Sequence, residues 1–301
     1  MKTKFLSMLW VLMLSIQILN AQNYYNRLAG VNAPTIEATD HTGEFIRDES
    51  GNIKREAVKK DHHGNAQGNQ YDLAIDGAFE GQTIVVLQLY HEDRFDFELP
   101  KAALKEKGFS VYRYISNPPS AQQLKKDLDK ACQLWIISDS YSKLNDEHLA
   151  VIKKFFDSGR GVYIWGDNEP YYADANRLAK HLIGAEMNGN LLGDREVGLQ
   201  ENLLSPGLRP NHLITTGLEF VYEGITIATL NEHQHLDPLI YGSAGNLVTA
   251  AYEKNGKRLI LDGGFTRLYI KWDTAGTGRY VKNAAAWLVN VERFGEELGK
   301  K

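Results

Sequence analysis

The chain has 301 residues, with 34 Lys and Arg against 38 Asp and Glu, and is 43% hydrophobic, 24% charged and 10% aromatic. That balance excludes a disordered, fibrous or collagen-like protein, and the slight acidic excess argues against a nucleic-acid partner, which would need a basic face. The single cysteine, Cys132, excludes an internal disulfide framework and any cysteine-based metal site.

Lys2 and Lys4 precede the apolar run Phe5–Leu19, which gives way to Asn20, Ala21 and polar chain. This is the layout of a secretory signal peptide over residues 1–21, and the run is shorter than the roughly 20 residues a membrane span needs. Its removal takes away two lysines and no acid and moves the net charge from −4 to −6. The expected location is exported, periplasmic or extracellular, with no transmembrane span after cleavage.

Residues 22–80 are rich in Asn, Gln, Gly, His and charge and read as a polar linker or loosely ordered arm. Within it, Ser50-Gly51-Asn52 is turn chemistry for a small hairpin over Phe45–Lys54. No internal repeat is expected.

From Thr83 the pattern alternates strands and helices. Thr83–Tyr90, Phe109–Ile115, Leu134–Ser138 and Gly161–Trp165 read as buried strands. Helices are expected over Leu99–Lys107, from Ser120 to Ala131, after the capping residue Asn145, and over Tyr171–Leu182 with Pro170 in its first turn. This order predicts an α/β domain over 81–298: a doubly wound, mostly parallel sheet with helices on both faces. An antiparallel hairpin is expected near the C-terminal end, where Asn246–Tyr252 and Arg258–Leu261 flank Asn255-Gly256. Ile225–Leu230 reads as a strand, His233–Pro238 as irregular loop, and Tyr280–Glu296 as one helix.

Ligands of open α/β sheets bind beyond the carboxyl ends of the strands. The residues there include His91, Glu92 and Asp93; Asp139 and Ser140; Asp167 and Asn168; and Asp262, Thr266 and Arg267, with Asp273 just beyond. The candidate ligand-binding set is therefore His91, Asp139, Ser140, Asp167, Asn168, Asp262, Thr266, Arg267 and Asp273. Trp165-Gly166-Asp167-Asn168 has the form of a nucleophile elbow without Ser or Cys; alternatively, Asp167 and Asn168 cap the following helix. Phe265–Asp273 either lines a binding surface, or packs Leu268, Ile270 and Trp272 inward while Arg267, Tyr269 and Lys271 face water. Asp273 through Gly278 could present backbone N–H groups to an anion. His233 and His235 form an H-x-H pair, with His212 and His91 as conceivable further metal ligands, but no third ligand is set by spacing. No cofactor is expected.

The strand order, the Trp165–Asn168 turn, the helix ending in Leu182-Ile183-Gly184-Ala185 and the late strand ending in Asp262-Gly263-Gly264 resemble the class I glutamine amidotransferase-like superfamily over about residues 83–292. The resemblance implies a flavodoxin-like sheet. It implies a cysteine at the elbow, where this chain has Asp167, and a His-Glu pair where it has Gly263-Gly264-Phe265-Thr266. Amidotransferase activity is accordingly not expected, and no catalytic residue is assigned. The expected function is a non-catalytic exported domain binding a ligand or partner protein at the strand ends, the alternative being a hydrolase using a carboxylate or metal in the same place.

Overall fold

The computed structural model describes residues 25–26, 35–91, 95–203, 205–231 and 233–298; the expected signal peptide, Glu92 and Asp93 lie outside them. No helix among the described residues is long and apolar enough to cross a membrane.

The elements in chain order are β1 (Thr35–Glu37), β2 (Arg55–Ala57), β3 (Thr83–Gln88), α1 (Glu98–Glu106), β4 (Ser110–Ile115), α2 (Ala121–Leu128), β5 (Gln133–Ile137), α3 (Asp146–Asp157), β6 (Gly161–Trp165) and α4 (Ala173–Ile183). There follow β7 (Met187–Leu192), β8 (Glu196–Gly198), β9 (Gly207–Leu208), β10 (Phe220–Tyr222), β11 (Thr226–Leu230), β12 (Leu236–Tyr241), β13 (Leu247–Lys254), β14 (Lys257–Asp262), α5 (Thr277–Leu288) and α6 (Val291–Leu298).

The central sheet has eight strands in the order β4-β3-β5-β6-β14-β13-β12-β9. β4, β3, β5, β6 and β14 run parallel, and the sheet then turns antiparallel through β13, β12 and β9. The protein is thus an α/β fold, with its hairpin at Asn255-Gly256. Side chains alternate between two cores: Val86, Trp135, Tyr163 and Ile260 face one side, Val85, Leu134, Ile164 and Leu261 the other. Both faces are apolar, which is why these strands read as unbroken hydrophobic runs.

Three elements differ from expectation. Leu236–Tyr241 is a strand despite Pro238, which sits opposite Ala250 where the β12–β13 register slips; β9 pairs only with Ile240 and Tyr241. The last helix is two helices, broken at Asn290, whose φ is 58° and whose amide donates to the Gly159 and Gly256 carbonyls. The arm contains a recurring turn. Asp40, Asp48 and Asp61 each accept from backbone N–H groups two and four residues on, and Gly43, Gly51 and Gly64 each take a φ near +85°, at 88°, 84° and 87°.

The second half of that segment lies against the domain. Val58, Ala66, Leu73, Ala74 and Phe79 are buried. Asn65 accepts from Glu219 N and Phe220 N at 2.7 and 2.9 Å, and Asn283 accepts from Leu73 N at 2.7 Å. Buried Asp72 meets Lys107 and Lys282 at 2.9 Å and Arg279 at 2.7 Å.

Candidate functional site

The parallel ladder runs one residue past β6, because Gly166 N donates to Asp262 O at 2.8 Å. A Cβ there would lie 2.5 Å from Met187 Sδ and 3.1 Å from Tyr172 Cβ, so a larger residue would have to push the Met187 side chain aside. The chain does not then turn directly into a helix. Asp167 N donates to Tyr171 O, Tyr171 N donates to Asn168 O, the Glu169–Pro170 bond is cis, and α4 begins only at Ala173. Pro170 is therefore in the connection and not in the first helical turn. Asp167 and Asn168 do not cap α4. That role falls to Ser138, whose Oγ accepts from Asp174 N at 3.0 Å and Ala175 N at 3.1 Å.

Asp167 is 6% exposed, and its Oδ1 has no hydrogen-bond partner among the described residues. Burial pushes its carboxyl up to about 8, and nearby Asp262 adds to this; the Asn168 N–H and the Arg267 guanidinium pull the other way. It is therefore a neutral acid near pH 7. Asp262 is fully buried yet saturated. Arg267 Nη1 lies 3.0 Å from it, the Tyr163 and Tyr280 hydroxyls each donate at 3.1 Å, and Gly264 N donates to Oδ1 at 2.9 Å. Arg267 also donates to Glu223 O at 2.8 Å, and although burial opposes its charge, Asp262 and its neighbours raise its pKa further. Desolvation lifts both tyrosines well above their ordinary range. This cluster joins β6, β14, α5 and the chain after β10 as a structural hub.

Asp139 has a different role. Lys143 Nζ reaches it at 2.7 Å and donates to Leu89 O and Ser116 O at 2.8 Å, while Ser140 N donates back to Asp139 Oδ1 at 2.6 Å. Lys143 thereby ties together the carboxyl ends of β3, β4 and β5, where the strand order reverses and doubly wound sheets hold ligands. Thr266 Oγ1 accepts from Ile225 N, and Asn168 Oδ1 accepts from Thr226 Oγ1, both at 2.8 Å. His91 is exposed beyond β3.

A rim of rings surrounds this edge: Tyr90 packs 5.6 Å from Tyr171 and 5.2 Å from Phe265, which lies 5.1 Å from Phe95 and 5.3 Å from Tyr269. The Phe265–Asp273 segment does not alternate as a strand would. Phe265–Leu268 is a 3-10 turn, Arg267 is fully buried and Ile270 is 49% exposed. Asp273 lies elsewhere, on a groove of about 330 Å³ between α1 and α5 whose walls include none of Asp139, Asp167, Asp262 or Arg267.

His233 and His235 precede β12 in a turn; their rings are 5.6 Å apart, and His235 Nε2 sits 2.7 Å from Lys254 Nζ. Burial lowers His212 to about 4, and its Nδ1 accepts from Ile214 N at 3.0 Å. Among the described residues no three His, Cys, Asp or Glu side chains are placed to hold a metal. Cys132 is at the amino end of β5, its thiol donating to Thr83 O at 3.3 Å and pushed up to about 12 by burial.

The structure therefore brings Asp167, Asn168, Asp262, Thr266 and Arg267 together and leaves Asp139 and Ser140 in a neighbouring clamp, with Asp273 and the histidine pair apart. Sequence reasoning missed Tyr163, Tyr280 and Lys143: the two tyrosines read as core positions of a strand and a helix, and the lysine looks like any loop cation until its carbonyl partners are seen.

No protein-family model matches the chain, and no curated protein matches it. Solved structures similar to it include a candidate GMP synthase component from Thermoplasma acidophilum, at 9% identity and TM-score 0.44, covering 72% of this chain and 98% of that one. A ThuA-like protein from Parabacteroides merdae aligns at 12% identity and TM-score 0.45 over 70% of this chain and 90% of that one. The glutaminase domain of CTPS from Trypanosoma brucei, solved with bound acivicin, aligns at 9% identity and TM-score 0.36 over 68% and 93%.

Proposed function

We propose that the chain is an exported, non-catalytic α/β domain of the glutamine amidotransferase-like kind that binds a ligand or partner protein at the carboxyl edge of its sheet. The observation that carries this reading is Asp167. It occupies the place just past β6 where a nucleophile would stand, is buried and neutral, and offers an unpartnered carboxyl oxygen. Among the described residues the groups nearest it, Asp262, Arg267, Tyr163 and Tyr280, engage one another, whereas nucleophilic catalysis needs an attacker coupled to a base. The only thiol is at the opposite end of β5.

The other reading is a hydrolase in which Asp167 delivers a proton. It is favoured by one observation, that the acid keeps its proton near pH 7. The deciding experiment screens the full chain for turnover of esters, amides and glycosides, with elemental analysis of the same preparation. The binding reading expects no turnover and no stoichiometric metal. Turnover that disappears in a folded Asp167→Asn variant would replace it with the hydrolase.

A further inference from the structure

The second half of the N-terminal arm docks on one strip of the domain, Leu213–Phe220. Ala66 N donates to Gly217 O at 3.2 Å, and Asn65 Oδ1 accepts from Glu219 N and Phe220 N. Arg279 donates to the Ala66 and Gly217 carbonyls together, at 2.6 and 2.9 Å. Asn283 accepts from Leu73 N and donates to the Ile214 and Thr216 carbonyls, joining arm and strip again. Gly217 takes a φ of 72°, and a Cβ there would lie 2.6 Å from Tyr71 O, so the two segments meet backbone to backbone. The docking geometry thus depends on the shape of the strip.

One titratable side chain stands at the entrance to that strip. His212 precedes the 3-10 turn Leu213–Thr215, and its Nδ1 accepts from Ile214 N at 3.0 Å. A ring nitrogen that accepts carries no proton, so this bond exists only in the neutral imidazole with its hydrogen on Nε2. Protonation would set two N–H donors against each other and put a charge on a partly buried ring 5.7 Å from that of Trp287. Asp237 of β12 favours the charged ring and Arg258 of β14 opposes it; Glu253, Glu292 and the Tyr25 hydroxyl are engaged with that arginine. Burial outweighs Asp237 and holds the imidazole down at about 4, against an ordinary 6.5.

We propose that His212 is an acid-operated latch: protonation of its Nδ1 frees Ile214 N, loosens the Leu213–Gly217 strip and undocks the arm around Asn65–Leu73. The closed strip holds the neutral ring, and the open strip lets it protonate at its ordinary value. The ratio of open to closed therefore rises as pH falls from about 6.5 to about 4, by up to tenfold per unit, and is constant above that window. Asp72, the other acid-sensitive tie of the arm, keeps its charge there: burial alone would raise its carboxyl, but Lys282, Lys107 and Arg279 hold it below its ordinary range.

The test follows amide hydrogen exchange of the full chain at pH 7 and pH 5. Rates are expressed as protection factors, which remove the intrinsic pH dependence, and are taken relative to Trp135 and Ile136 in β5. Protection at Ala66, Ile214 and Glu219 is expected to fall tenfold or more at pH 5. His212→Asn puts a side-chain oxygen where Nδ1 stood and takes up no proton, so its fall is expected to stay within about threefold. Nuclear magnetic resonance titration of the parent His212 ring needs no variant and is expected to give a midpoint well below 5. Protection that does not fall at pH 5, a fall as large in His212→Asn as in the parent, or a ring that titrates near 6.5 overturns the latch. If His212→Asn fails to fold, the exchange and ring titration of the parent decide between the same outcomes.

Discussion

A buried aspartate that keeps its proton stabilises the fold only while that proton is present. The Asp167 carboxyl titrates near 8 in the folded chain, against an ordinary value of 3.8. Between those values the folded state binds more protons than the unfolded one, so this residue's contribution makes stability fall as pH rises from about 4 to about 8, by at most about 1.4 kcal/mol per pH unit. Asp167→Asn is expected to remove that slope and to raise the melting temperature at pH 8 relative to the parent. Denaturation at pH 5 and pH 8 checks it, and an unchanged slope would mean that the carboxyl is ionised in the fold. Asp262, by contrast, lies 3.0 Å from the Arg267 guanidinium. Arg267→Met leaves its carboxylate buried without a cation and is expected to cost about 3–5 kcal/mol, read by urea unfolding.

At the scale of elements, what could be read from the residues followed from period and turn chemistry. β3, β5 and β6 are apolar on both faces, and their sequences show it. The α3 start was legible because Asn145 caps it, its side chain accepting from His148 N at 3.0 Å. β12 was not legible, because a strand tolerates a proline such as Pro238 at a bulge, and the slip in register beside it exists only once β12 has paired with β13. The connection after β6 was legible as a bend but not as the longer Gly166–Tyr172 path, since the group capping α4, Ser138, comes from another strand. Of the site, Asp167, Asp262 and Arg267 could be named from strand-end position alone. Tyr163 and Tyr280 could not, since their hydroxyls meet, at 2.7 Å, only after β6 and α5 have packed. Lys143 is the clearest test of an element-scale role. Lys143→Met is expected to loosen the carboxyl ends of β3, β4 and β5, seen as faster amide exchange at Leu89, Ser116 and Asp139 than at the β5 centre.

Across the whole molecule, the polar N-terminal region divides into two parts with different attachments. Residues 35–57 are held by their own hairpins, and apart from Ala38 their side chains are partly or fully exposed. Residues 58–80 are fastened by apolar burial and by Asp72. Burial alone would raise the Asp72 carboxyl, yet Lys282, Lys107 and Arg279 hold it below the ordinary range. A depressed carboxylate contributes stability that is present above about pH 4 and is lost as pH falls below it. Asp72→Asn is expected to flatten that acid limb and to expose 66–80 to protease, while in the parent limited digestion cuts first within 35–57. Parental cleavage within 66–80 before 35–57 would refute this division.

The Asp40, Asp48 and Asp61 turns each close on backbone groups within four residues, with a glycine supplying the left-handed step. The two exposed hairpins are also tied to each other, Ile46 N donating to Ala38 O and Lys54 N to Ile46 O, and Thr35 lies opposite Ala57, so the excursion leaves and returns at one place. Lengthening it would enlarge a protrusion without moving the chain on either side, whose position is fixed by the Asp61 unit, pinned through Asn65 to Glu219 and Phe220.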